Sequence, residues 1–227
     1  MCDNEYNIII QSDFDCIGVV AKHCDNAKLC IAISEAQDFD LSELLCGMWD
    51  YVLSVNASVV EYDLLYDAYL IELAACEENP DCDTPPVAPV EPLDYDLNKQ
   101  LLCGGSFVGC NDRVFKFKGV KQILAYYAYS RYLILNGFND TAVGSVRKTN
   151  EFSIPTPLKE VQSFADKYRT MGYESAKKLF PFICANKDVF VDLDEKHCGG
   201  CACGNGCNSA TKAKGYGFKS SIIKKSI

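Results

Sequence analysis

Histidine, and positive charge in its first half, are what this chain has least of. The two histidines, His23 and His197, cannot make a His-Glu-x-x-His zinc helix. Neither Gly-x-Ser-x-Gly nor the phosphate-cradling Gly-x4-Gly-Lys-Ser/Thr occurs. No carboxylates are paired for acid–base work, so the expectation is a protein that is not an enzyme. A competing enzymatic reading would draw a cleft from Asp192, Asp194 and nearby thiols. No apolar run approaches the roughly 18 residues that cross a bilayer, so no membrane partner is expected. The start, Met1-Cys2-Asp3-Asn4-Glu5, is acidic where a secretory signal is basic, which predicts a soluble protein made in a cytoplasm.

The scarcity of bases is local. Residues 1–100 hold only Lys22, Lys28 and Lys99 against 21 acids, whereas residues 101–227 hold 19 bases against ten acids. Two solvated faces of opposite sign would give this pattern. So would head-to-tail contact between copies, acidic flank on basic flank. Residues 205–227 carry Lys212, Lys214, Lys219, Lys224 and Lys225 and no acid. That tail suits phosphate better than the acidic body does.

With 48% hydrophobic and 23% charged residues the composition is that of a folded globular chain. Tyr6–Ile10 reads as a short strand and residues 27–37 as a helix. Asp40 and Glu43 have capping-box spacing ahead of the stripe Leu41, Leu44, Leu45, Met48, Trp49 and Val52. A second helical stripe follows at Tyr62, Leu65, Tyr66, Tyr69, Leu70 and Leu73, with Asp63, Asp67 and Glu72 on its other face. Five prolines among acids make residues 79–98 an exposed insertion. Residues 113–117 read as a strand. Gly119 then opens a helix over about 120–135, closed by Asn136-Gly137 as a C-cap. That helix is apolar nearly all round, which calls for cover on every side, part of it from a neighbouring subunit. Tyr127, Arg131 and Leu133 are therefore the expected subunit-interface residues, with Arg131 held by carboxylates or carbonyls. Residues 141–152 read as a hairpin or extended loop. Thr156-Pro157 starts a helix with the stripe Leu158, Val161, Phe164, Ala165, Tyr168 and Met171, interrupted at Gly172. Val189, Val191 and Leu193 alternate like a final strand. The fold class that follows is mainly α: a small helical bundle with a β-hairpin or extended loop, short terminal strands and an extended C-terminal arm. Its parts are an N-terminal segment 1–26, a helical core 27–186 and a Cys-rich, basic arm 187–227.

Fourteen cysteines are many for a cytoplasmic protein. Ten are scattered and are read as reduced thiols that fill small apolar positions. The other four, Cys198, Cys201, Cys203 and Cys207, lie within ten residues and are separated largely by glycine. Four thiolates suit zinc, and His197 could replace one of them. An iron–sulfur cluster is a remoter use, and a flexible Gly/Cys segment without metal fits the same residues. With the basic tail, this cluster supports an alternative reading as a metal-binding, nucleic-acid-associated regulator.

The run Phe117-Lys118-Gly119-Val120-Lys121, then Ala125 to Tyr132, Asn136-Gly137, Thr141 to Lys148 and Glu151-Phe152-Ser153, resembles the head-to-tail connector, or adaptor, proteins of tailed bacteriophages, and among these the proteins of crAss-like phages. Ala36-Gln37, Leu41 and Leu44-Leu45-Cys46-Gly47 resemble the earlier helix pair of that family, so the likeness spans about residues 27–186. The resemblance implies a helical subunit of a ring, usually of twelve copies, at the head–tail junction of a virion assembled in the host cytoplasm. Its implied partners are the portal, the next tail component and genomic DNA passing without sequence-specific binding. The family reaches the portal with a C-terminal extension, which here implies an arm docking through Tyr216, Phe218, Ile222 and Ile223. A stopper or tail-completion protein is the nearest structural rival.

Overall fold

A computed structural model describes residues 7–17, 25–78, 84–109, 112–141, 144–147 and 157–190 of the 227. The protein is mainly α-helical, with two small antiparallel hairpins among the described residues. The helices are α1 (Asn26–Glu35), the single turn α2 (Ser42–Leu45), α3 (Trp49–Glu78), α4 (Tyr95–Cys103), α5 (Val120–Asn136) and α6 (Leu158–Ala185). Strands β1 (Gly104–Val108) and β2 (Val114–Lys118) form the first hairpin, with Phe107 opposite Phe115 and Val108 opposite Val114. Strands β3 (Phe138–Thr141) and β4 (Gly144–Arg147) form the second.

Helix α5 is the axis of the bundle. It packs along α6, against α1 and against a 3₁₀ helix at Gln11–Ile17. Val120, Ile123, Leu124, Ala125, Tyr126, Tyr127, Ala128, Ser130 and Tyr132 are all buried. Burial over more than half its circumference is what its sequence requires, because each large apolar side chain left in water would forgo about 1.5–3 kcal/mol. The Ser130 hydroxyl donates to the Ala165 carbonyl at 2.8 Å and ties α5 to α6. At the other end Lys28 Nζ donates to the Leu135 carbonyl at 3.0 Å, and the Asp25 amide donates to the Tyr132 hydroxyl at 3.1 Å. Asp25 also caps α1 by accepting from the Lys28 amide.

Several expectations are corrected. Residues 7–10 form no strand: Ile8 and Ile9 are buried, but the Ile8 amide is satisfied by the Gln37 side chain at 3.1 Å rather than by a neighbouring strand. Asp40 caps no helix. It sits in a π-helical turn, Ala36–Leu41, that carries α1 onward, and its carboxylate is taken by Arg131. The break falls instead at Cys46, whose φ of 46° and ψ of −120° end α2. The second stripe lies wholly on one 30-residue helix, α3, about 45 Å long at 1.5 Å per residue, which also takes Trp49 and Val52 from the end of the first stripe. Residues 95–98 are not part of the linker but the first turn of α4, an element that sequence reading missed. Helix α6 runs through Gly172 and even Pro181 to Ala185. Its buried line is Ala165, Gly172, Ser175, Ala176, Leu179, Phe182 and Ile183, while Leu158 and Phe164 are exposed. Gly137 follows α5 with φ −68°, so it is not a left-handed cap. Val189 lies in a turn, and Val191 and Leu193 of the expected strand lie outside the described residues. Cys30 and Cys76 are disulfide-bonded, against the expectation of reduced thiols, whereas Cys46, Cys103 and Cys184 are in no disulfide. Pairing depends on which Cα atoms fold to within about 4.4–6.8 Å, which spacing along a chain does not reveal.

Candidate interaction surface

The first three turns of α3 belong to the core. Val52, Val55 and Val59 are its only buried residues. The Tyr51 hydroxyl donates to Asn98 Oδ1 at 2.9 Å, and the Tyr51 ring meets the Phe190 ring edge-on at 6.0 Å. One turn beyond Val59, α4 makes its last hold on the helix. Tyr95 packs on Tyr62 at 4.7 Å and donates its hydroxyl proton to Asp63, and Lys99 donates to the same carboxylate at 3.0 Å. Burial alone would raise the Asp63 pKa, but the hydrogen bonds from Tyr95 and Lys99 outweigh it and leave the carboxyl below its ordinary value. The Lys99 ammonium is raised in turn, first by its hydrogen bond to Tyr95 and then by Asp63.

From Val60 to Glu78 no residue of α3 is buried. Leu64 is 66% exposed and Ile71 72% exposed. At 100° per residue Leu64, Ala68, Ile71 and Ala75 line one face, flanked by Glu61 and Glu72 on one side and Asp67 and Glu78 on the other. The helix holds seven acids and no base. The proline-rich stretch 84–94, which has no helix or strand, adds Val87, Val90 and Leu93, all nearly fully exposed. Monomeric proteins seldom expose a contiguous apolar patch beyond a few hundred Å². Of the expected second stripe, Tyr62, Tyr69 and Leu73 are half-buried, while Leu65, Tyr66 and Leu70 are exposed. The periodicity marked the helix correctly but could not show that the core ends at Val59.

A second polar site lies where α1, α5 and α6 meet. Arg131 Nε donates to Asp40 Oδ2 at 2.6 Å and Nη1 to Glu35 Oε2 at 3.2 Å, while Arg169 reaches the other Asp40 oxygen at 3.5 Å. The hydrogen bond to Asp40 leads the causes that raise the Arg131 pKa. Asp40, Arg131 and Arg169, with Tyr127, Ser130 and Ile134, line a cavity of about 150 Å³. Burial first, and then the Asp40 charge, push the Tyr127 phenol up to about 12.

The three expected interface residues thus part company. Tyr127 is 7% exposed and packs on Gly172 of its own chain, so α6 supplies the cover that was sought from a neighbour. Arg131 is partly buried and held by two carboxylates, as expected of it. Leu133 is half-buried, and one residue on, Ile134 is exposed. Cys198, Cys201, Cys203 and Cys207, His197, Asp192 and Asp194, and the arm residues Tyr216, Phe218, Ile222 and Ile223 lie outside the described residues. Among the described residues no three metal-binding side chains cluster, and no helix is long and apolar enough to cross a membrane.

Residues 96–202, from α4 through α6 and beyond, match a family described as a family of unknown function (DUF6712). The acidic helix α3 lies ahead of that match. No curated protein and no solved structure matches the chain.

Proposed function

We propose that this protein is a structural virion subunit, without catalytic activity, that assembles into a ring joining a phage portal to the next tail component and extending the DNA channel. The observation that carries the reading is the outer half of α3, an apolar and acidic stretch of helix in which no residue from Val60 to Glu78 is buried among the described residues. A subunit built to be covered by others has such a face. The resemblance of residues 117–153 to phage connectors supplies the kind of assembly, and its usual twelve copies. The opposed charge of the two halves of the chain suits heterologous contacts, the kind that close rings. Genomic DNA would pass an acidic lining without binding, because like charges do not condense on phosphate. The arm, through Tyr216, Phe218, Ile222 and Ile223, is the part assigned to the portal. Electron microscopy of the purified full-length chain tests the proposal. Closed rings of uniform diameter support it, and isolated subunits at every concentration count against it.

A further inference from the structure

The outer half of α3 sets the chemistry of whatever covers it. Its apolar line, Leu64, Ala68, Ile71 and Ala75, runs between two rows of carboxylates, and among the described residues only Asp63 of this helix is ion-paired. An occupant must therefore present a narrow apolar strip edged with positive charge.

The β1–β2 hairpin presents such a strip. Its inner face, Phe107, Phe115 and Phe117, turns toward Phe182 of α6: Phe117 stacks on Phe182 at 4.3 Å, and Phe107 lies 6.0 Å from it. Alternation along the strands then sends Val108, Val114 and Lys116 to the opposite face. Val108 is 63% and Val114 60% exposed, and they are direct cross-strand partners. Lys116 and then Lys118 follow on the same face, whereas exposed Arg113 alternates to the inner side, over the Phe115 ring. The outer face of the hairpin has two valines followed by two lysines, and α3 has leucine, isoleucine and alanines between carboxylates.

We propose that the outer half of α3 is the docking face for a second copy of this chain, which presents the outer face of its β1–β2 hairpin. The contact joins two different patches, so each copy uses its α3 toward one neighbour and its hairpin toward the other. A heterologous contact of this kind builds a ring when its rotation closes. The inference rests on the ring reading and adds to it the two surfaces that meet. Desolvated apolar side chains at the centre supply affinity, and the charges at the rim fix which patch is recognised.

Charge reversal and rescue test it on the full-length chain, with oligomer mass read by light scattering. The paired substitutions Asp67→Lys/Glu72→Lys and, separately, Ser106→Glu/Lys116→Glu alter only exposed side chains. Circular dichroism melts of both should match the unsubstituted protein. Each pair alone should lower the apparent association constant by at least about tenfold, and the four substitutions together should recover most of the loss. Association of the unsubstituted protein that neither pair weakens overturns the contact and leaves the ring reading standing. Loss in both pairs without recovery in the combination also overturns the contact, because the two patches then do not meet. An unsubstituted protein that never associates overturns the ring reading, and this inference with it.

Discussion

At the crossing of Gly104 and Gly119 two backbones touch with no room for a side chain. A Cβ at Gly119 would stand 2.3 Å from Gly104 N and from Leu102 O, and Gly104 itself has φ +90°. Gly119→Ala must push backbone apart at the joint between the first hairpin and α5, and should cost about 1–3 kcal/mol in a denaturant melt. Arg131 gives a second prediction. Asp40→Ala removes its closest carboxylate and leaves a partly buried guanidinium with Glu35 alone, so stability should fall by about 2 kcal/mol. Replacing Arg131 and Asp40 together with apolar residues should cost less than Asp40→Ala alone, because no charge is then left unpaired. Tyr127 sets an alkaline limit. Its folded pKa is raised above that of the unfolded chain, so its contribution is complete below about pH 10 and is lost as pH climbs toward about 12. Ultraviolet titration should find one phenol ionising near 12, and Tyr127→Phe should abolish that step. Arg131 was legible as a residue in need of partners because it interrupts a long apolar helix. That its partners would be Asp40 and Glu35 was not legible, since they lie more than 90 positions away in sequence.

Among the elements, α3 shows what periodicity can and cannot tell. Its repeat of apolar residues marks a helix from either half, but burial stops after Val59, and the helix continues for about five more turns. Nothing in the spacing of Leu64 and Ile71 separates a core stripe from a docking stripe. The same limit explains α6: its expected stripe was centred on Phe164, yet the buried line runs through Ala165, Gly172 and Ala176, small residues that let α5 come close. By contrast β2, the hairpin after α5 and α5 itself stood out, because strong local pattern and flanking glycines agree there. The π-helical turn at Ala36–Leu41 hid α1's continuation behind what looked like a capping box. The hold of α4 on α3 carries a prediction of its own. The Asp63 pKa is depressed, so its contribution is present above about pH 4, the ordinary carboxylate range, and is lost as pH falls through the lower folded value. Asp63 and Lys99 are both more than a third exposed, so Asp63→Asn should cost less than about 1 kcal/mol at pH 7, and the difference from the unsubstituted protein should vanish in acid.

For the molecule as a whole, the uneven charge of the sequence becomes a division of labour between surfaces. The acidic half contributes an exposed helix, and the basic half contributes the central helix and a hairpin with cations on its outer side. The ring reading unites these, and its most direct measurement is the mass of the purified full-length protein by native mass spectrometry over a range of concentrations. The account predicts one dominant closed species at a fixed whole-number multiple of the 25.1 kDa subunit, near twelve copies, that does not grow further as concentration rises. A single 25.1 kDa species at every concentration, or an open ladder of masses that lengthens without limit, would contradict it.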